Sequence, residues 1–217
     1  MSVAAKICGL STLETVAAAI AGRARFIGFV FFPPSPRNLT PAQAGPLIRG
    51  VPAGVMRVGV FVDPDNDLLE RVLAAAPLDL IQLHGEETPE RVAEIKRRFG
   101  KKAMKAIKVA GESDLAAAPR YYGIADWLMF DARPPKSATR PGGNALAFDW
   151  ELLRARTWPL PWMLSGGLTP ANVAEAARIS RAPAVDVSSG VESAPGVKDV
   201  AKIRAFLAAV GALAGAN

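Results

Sequence analysis

A chain of 217 residues that is 50% hydrophobic and 21% charged has the balance of a folded globular protein, which excludes a disordered or fibrous chain. A single domain over residues 1–217 is the expected organisation, because a chain of this length buries roughly 70% or more of its unfolded surface around one core. The formal charge of +6 admits an anionic partner, and the lone cysteine, Cys8, excludes an intramolecular disulfide, a redox pair and a cysteine-built metal centre.

No stretch approaches the ~20 apolar residues of a spanning helix. The first residues, Met1 to Lys6, lack the basic region and apolar core of an export signal, so a cytoplasmic protein with no membrane partner is expected. The densest basic run, Lys96 to Lys108, covers the end of a helix and the strand after it, where cations complement the helix dipole. No aromatic side chains are interleaved as stacking platforms, so nucleic acid is not the expected partner and a small anionic ligand is. The sequence leaves the oligomeric state open, with a monomer preferred.

In chain order, short apolar runs alternate with segments of helical spacing. Strand one is expected over Val3 to Ile7; Lys6 and Cys8 then share a face by the period of two, and Cys8 reaches the strand's end. Cysteine at such a place also serves as a small buried hydrophobe. A helix over Leu13 to Ala21 leads to strand two, Phe26 to Phe31, and to a proline-stiffened loop, Phe32-Pro33-Pro34-Ser35-Pro36-Arg37-Asn38. Its arginine suits bidentate recognition of a carboxylate, or is simply solvated.

Helices over Pro41 to Ile48, Asp67 to Ala75 and Pro89 to Phe99 separate strands at Val55 to Phe61, Leu78 to Leu83 and Met104 to Val109. Thr40-Pro41, Thr88-Pro89 and Thr169-Pro170 mark helix starts, with a capping hydroxyl before a proline in the first turn. Strand four ends in Gln82-Leu83-His84-Gly85, which sets the only histidine at the rim with Gln82 on the same face.

Strand six, Trp127 to Phe130, runs into Asp131, a carboxylate beyond an apolar run, where desolvation would suit it to proton transfer; a turn cap is the alternative. The stretch from Ala132 to Ala147 is too long for a minimal connection and could serve as a lid. Strand seven, Trp162 to Leu164, leads to Ser165-Gly166-Gly167-Leu168, and strand eight, Ala184 to Val187, to Ser188-Ser189-Gly190-Val191-Glu192. Glycines at two consecutive strand ends expose backbone N–H groups, and in barrels the loops after strands seven and eight often hold phosphate.

Strands alternating with helices imply parallel pairing through right-handed crossovers. Eight units in this length suit a closed (β/α)8 barrel, with polar residues collected at the C-terminal strand ends. An open doubly wound sheet is the second choice, and it lacks its Gly-x-Gly-x-x-Gly run after strand one.

Taken together, Lys6-Ile7-Cys8-Gly9, Phe32-Pro33-Pro34-Ser35-Pro36-Arg37, Gln82-Leu83-His84-Gly85, Phe130-Asp131, Ser165-Gly166-Gly167-Leu168 and Asp186 to Glu192 resemble the phosphoribosylanthranilate isomerase family over residues 6 to about 206. The resemblance implies a TIM barrel that carries out a cofactor-free Amadori rearrangement in tryptophan biosynthesis. It implies Cys8 as general base and Asp131 as general acid, and Arg37 on the anthranilate carboxylate. Asp186 would meet the sugar hydroxyls, His84 would line the site, and Gly166, Gly167, Ser188, Ser189 and Gly190 would hold the phosphate. No metal is implied. A thiolate at Cys8 would need a nearby cation or dipole, for which Lys6 is a candidate, although Lys6 could instead pair with Asp186 across the closed barrel. One departure is Ala145, where the family usually has a glycine after Gly142-Gly143-Asn144.

The related histidine-pathway isomerase places an aspartate where this chain has Cys8, and indoleglycerol-phosphate synthase requires lysines in a context that Lys105 and Lys108 lack. A non-catalytic phosphate-ligand binder would have no use for both Cys8 and Asp131.

Overall fold

Eight strands pair in parallel and in sequence order, and the eighth returns to the first to close a barrel. The computed structural model describes residues 3–133 and 147–213. The strands are β1 (Ala4–Cys8), β2 (Phe26–Phe31), β3 (Met56–Phe61), β4 (Leu80–Leu83), β5 (Lys102–Val109), β6 (Trp127–Ala132), β7 (Trp162–Leu164) and β8 (Ala184–Val187). All eight expected strands form, with shifts of a few residues at the ends. The consequential shift is in β6, which runs on through Asp131, so that carboxylate is held by a strand and not by a turn. The expected lid between Ala132 and Ala147 lies almost wholly outside the described residues, as does Ala145.

The outer layer is formed by α1 (Leu13–Ala21), α2 (Pro41–Arg49), α3 (Asn66–Ala75), α4 (Pro89–Phe99), the single turn α5 (Glu151–Arg154), α6 (Val173–Ser180) and α7 (Val200–Ala212), with a 3-10 helix over Glu112–Tyr121 between β5 and β6. Local chemistry explains the starts of α2 and α4. Thr40 caps α2 through Gln43 in a reciprocal box, Thr88 caps α4, and each is followed by proline. The third expected start, Thr169-Pro170, is corrected: α6 begins at Val173. There Asn172 Oδ1 accepts from Thr169 N–H, and the intervening residues form a turn, so the threonine is held outside the helix.

Alternation along the strands separates two cores. Outward residues such as Ile7, Ile27, Phe29, Phe31, Phe61 and Phe130 pack beneath the helices in the larger one. Inward residues Phe26, Val58, Leu80, Met104, Met129 and Met163 fill the lower barrel, where Phe26 meets Trp127 edge to face at 5.3 Å. Above that plug the inward positions become polar. Lys6, Cys8, Gln82, His84, Asp131 and Asp186 are all buried at this level. The basic run of the sequence is dispersed by the fold: Lys96 reaches Asp126, Arg98 reaches Glu70, Lys105 is buried against Glu87 outside the barrel wall, and Lys108 pairs with Glu86.

After β8, a 3-10 turn (Ser189–Val191) leads into an antiparallel hairpin of β9 (Glu192–Ala194) and β10 (Val197–Lys198). This hairpin leans on the proline-rich loop after β2. Gly196 turns it at φ +84°, and a Cβ there would come within 2.6 Å of the Pro36 carbonyl oxygen, so only glycine fits.

Candidate active site

The closure of the barrel creates the first group of the site. In the register that joins β1 to β8, Lys6 lies opposite Asp186, and Lys6 Nζ donates to Asp186 Oδ1 at 2.8 Å. Asp186 Oδ2 accepts from Ser165 Oγ at 3.0 Å. Burial pulls the Lys6 ammonium toward neutrality, but the charge of Asp186, aided by Cys8, outweighs it and holds the lysine protonated beyond its ordinary range.

Cys8 follows on the same face of β1. Burial pushes its thiol above the usual value; the Lys6 charge opposes that shift, and Asp186 adds to it. Lys6 is therefore the cation next to the sulfur, yet the thiol is held above its ordinary value, because desolvation is the larger effect and Asp186 adds to it. Gly28, opposite Cys8 on β2, makes the arrangement possible: a Cβ there would lie 3.0 Å from the sulfur and 3.1 Å from Lys6 Nζ.

The second group spans β4 to β6. His84 Nε2 lies 3.0 Å from Asp131 Oδ2, and His84 Nδ1 lies 2.9 Å from Gln82 Nε2. In the register that pairs Leu83 with Lys105, β5 presents the small Ala106 inward beside Met104 and Met129.

The third group joins the loops. Arg37 donates to Glu192 from Nε at 2.6 Å and from Nη2 at 2.8 Å, a bidentate pair with both side chains buried. Lys198 Nζ donates to Glu192 Oε1 at 2.7 Å and to the Ser188 carbonyl at 2.8 Å, while Ser188 Oγ donates to the Cys8 carbonyl at 3.2 Å. Burial alone would raise Glu192, but Arg37 and Lys198 hold its carboxyl below the ordinary range. Burial lowers Lys198, and Glu192 only partly restores it. The expected solvated alternative for Arg37 is thus corrected: the guanidinium is buried, because Glu192 supplies its counter-charge.

These groups surround one cavity, with about 80 Å³ open to the centres of water-sized molecules. Of the residues singled out in the sequence, Cys8, Arg37, His84, Asp131, Gly166, Gly167, Asp186, Ser188 and Ser189 line it together. Gly190 does not. It sits where a Cβ would fall 1.9 Å from the Leu168 carbonyl oxygen, so its role is to let the loops after β7 and β8 touch. Gly166 and Gly167 adopt φ of +94° and +64°, conformations that turn the first of those loops at the rim. Among the described residues no cluster of three or more His, Cys, Asp or Glu is placed to hold a metal ion.

Ser165, Glu192 and Lys198 were given no role by sequence reasoning. Glu192 ends the glycine-containing segment after β8, but its partner Arg37 lies 155 residues away. Lys198 belongs to a two-residue strand with no periodicity to mark it.

The model of the N-(5'-phosphoribosyl)anthranilate (PRA) isomerase family matches residues 5–209. The chain belongs to that family. It is 57% identical over 209 residues to the N-(5'-phosphoribosyl)anthranilate isomerase of Paramagnetospirillum magneticum, covering 96% of this chain and 97% of that one. With the enzyme of the same name from Paracoccus denitrificans it shares 59% over 208 residues, at the same coverage. Among solved structures, phosphoribosyl anthranilate isomerase from Thermotoga maritima superposes with a TM-score of 0.85 at 36% identity, covering 96% of this chain and 98% of that one. A phosphoribosyl anthranilate isomerase in complex with reduced 1-(o-carboxyphenylamino)-1-deoxyribulose 5-phosphate superposes with a TM-score of 0.82, at the same identity and coverage. The chain is accordingly an isomerase of tryptophan biosynthesis.

Proposed function

We propose that the cavity converts N-(5'-phosphoribosyl)anthranilate to 1-(2-carboxyphenylamino)-1-deoxyribulose 5-phosphate with Cys8 as base and Asp131 as acid. The observation that carries this reading is that a thiol and a carboxyl group, three strands apart around the barrel, line one cavity whose rim bears the two glycine-containing loops. Asp131 gives its proton to the ring oxygen as the C1'–O bond breaks, leaving an iminium stabilised by the aryl nitrogen. The Cys8 thiolate then removes the proton from C2', and the resulting enolamine becomes the ketone by proton transfers alone. Electrons lost at C2' are gained at C1', so the step balances without a cofactor.

In this reading the phosphate sits against Gly166, Gly167, Ser188 and Ser189, with Gly190 holding the loops together. Glu192 takes up Nε and Nη2 of Arg37, which leaves Nη1 as the edge to meet the anthranilate carboxylate. Asp186 has one oxygen on Lys6 and the other on Ser165, so it would reach the sugar hydroxyls with its remaining lone pairs. His84 lines the acid side. The reading also places the enzyme in the cytoplasm, where a lone active-site thiol stays reduced, and treats it as a monomer.

Freshly made substrate followed to product tests the assignment. Cys8→Ser and Asp131→Asn should each lose about 10²–10⁴-fold in kcat while keeping their circular dichroism spectrum. Wild-type turnover in both variants would reject the assigned roles.

A further inference from the structure

The acid side of the cavity contains an amide that the reaction as written does not use. Gln82 is buried at 1% exposure, lines the cavity, and has an oxygen with no hydrogen-bond partner. Its nitrogen, by contrast, is engaged twice, at 2.9 Å from His84 Nδ1 and at 3.3 Å from Met129 Sδ.

The choice between the two orientations of this amide follows from counting donors. With the nitrogen toward His84, both amide protons find an acceptor, the ring nitrogen and the weakly accepting thioether, and only one carbonyl oxygen is left over. In the reverse orientation the NH2 group would be stranded and the oxygen would face the lone pairs of Met129. Buried donors without partners are the rarer defect, so the first orientation is the stable one.

That orientation dictates the state of the imidazole. A ring nitrogen that accepts from an amide carries no proton, so the neutral His84 bears its hydrogen on Nε2, the atom 3.0 Å from Asp131 Oδ2. We propose that Gln82 is a positioning residue that fixes His84 in its Nε2–H form, so that His84 acts as a standing hydrogen-bond donor to Asp131. This rests on Asp131 being the acid. When Asp131 passes its proton to the ring oxygen, the negative charge left on its carboxylate meets a donor already in place, and no proton leaves the imidazole. His84 thus stabilises the conjugate base without being an acid itself, and the acidic proton belongs on Oδ1, the oxygen not occupied by the imidazole.

His84 is the only histidine of the chain, so its ring can be observed alone. Protein labelled with ¹⁵N-histidine should show, at neutral pH, an unprotonated Nδ1 and a protonated Nε2 in long-range ¹H–¹⁵N correlation spectra. Gln82→Glu replaces the donor with an acceptor and should move a proton onto Nδ1. Gln82→Met keeps the bulk without the donor and should leave a mixture of the two neutral forms. Both variants should lose about 10- to 100-fold in kcat with KM within about threefold, as expected when a hydrogen bond to a developing charge is lost. A wild-type ring protonated on Nδ1, or an Nε2–H form that persists in both variants, overturns the proposal. The spectra stand apart from the assignment of Asp131: full turnover in Asp131→Asn would reject that reading while leaving the tautomer assignment in place.

Discussion

At the scale of single residues, the site is a set of buried charges arranged so that none is left alone. Lys6 and Asp186 are the clearest case: the pair is buried at 2.8 Å, and removing one member strands the other. Asp186→Asn should cost about 3–5 kcal/mol and lower the melting temperature by roughly 10 °C in a thermal scan, whereas Lys6→Met combined with Asp186→Leu should recover most of that loss. Cys8 makes a pH prediction. Its thiol is raised by burial, so the midpoint of its ionisation, followed as the pH dependence of alkylation of this single cysteine, should lie above 9.0, the ordinary value for the group. An alkylation midpoint below that value would contradict a thiol raised by burial. Lys6 remains charged throughout that range, because its folded value lies above the unfolded one and its ion pair is lost only as the pH rises through the folded value.

At the scale of elements, the loops after β7 and β8 work as one unit because a glycine lets them touch. Gly190→Ala must displace the Leu168 carbonyl, which a Cβ would approach to 1.9 Å, and a shift of that order at a binding loop should lower kcat/KM by about 10- to 100-fold. Steady-state kinetics would show it, with the near-neutral Gly211→Ala variant in α7, whose Cβ meets nothing within 4 Å, as the comparison. The β9–β10 hairpin is tied to the loop after β2 by Glu192, whose carboxyl is held below its ordinary value of 4.5. A depressed carboxyl contributes stability that is present above that value and lost as the pH falls through the lower folded value. Acid titration of the melting temperature should therefore turn down below about pH 4.5, and Glu192→Gln should flatten the downturn.

At the scale of the whole molecule, the ring of strands is uneven. β7 has three residues and meets β8 at a single register pair, Leu164 with Val185, whereas β2 and β3 are paired along all six of their residues. Local opening should begin at that seam, so amide hydrogen exchange is expected to be faster in β7 than in β2 or β3. On the outer surface the large hydrophobics left exposed among the described residues are Leu13 and Val197. The proposal of a monomer predicts a light-scattering mass near the 22.8 kDa of one chain.

The amino-acid sequence by itself determined the architecture and most of the cavity wall. Period-two alternation is a local property, so once Cys8 is placed on β1 and His84 directly after β4 their facing follows from the strand, and Thr40 and Thr88 announce their helices through contacts within four residues. Thr169 misled because the same pair of residues also suits a turn, and Asn172 nearby took its N–H. The tertiary structure alone decided the electrostatics. Lys6 and Asp186, 180 residues apart, became a pair only when the barrel closed, and Arg37 met Glu192 only when the hairpin folded back. Burial and the distance between charges set whether Cys8 is a thiol or a thiolate, and both are properties of packed neighbours from other strands, to which no local pattern corresponds.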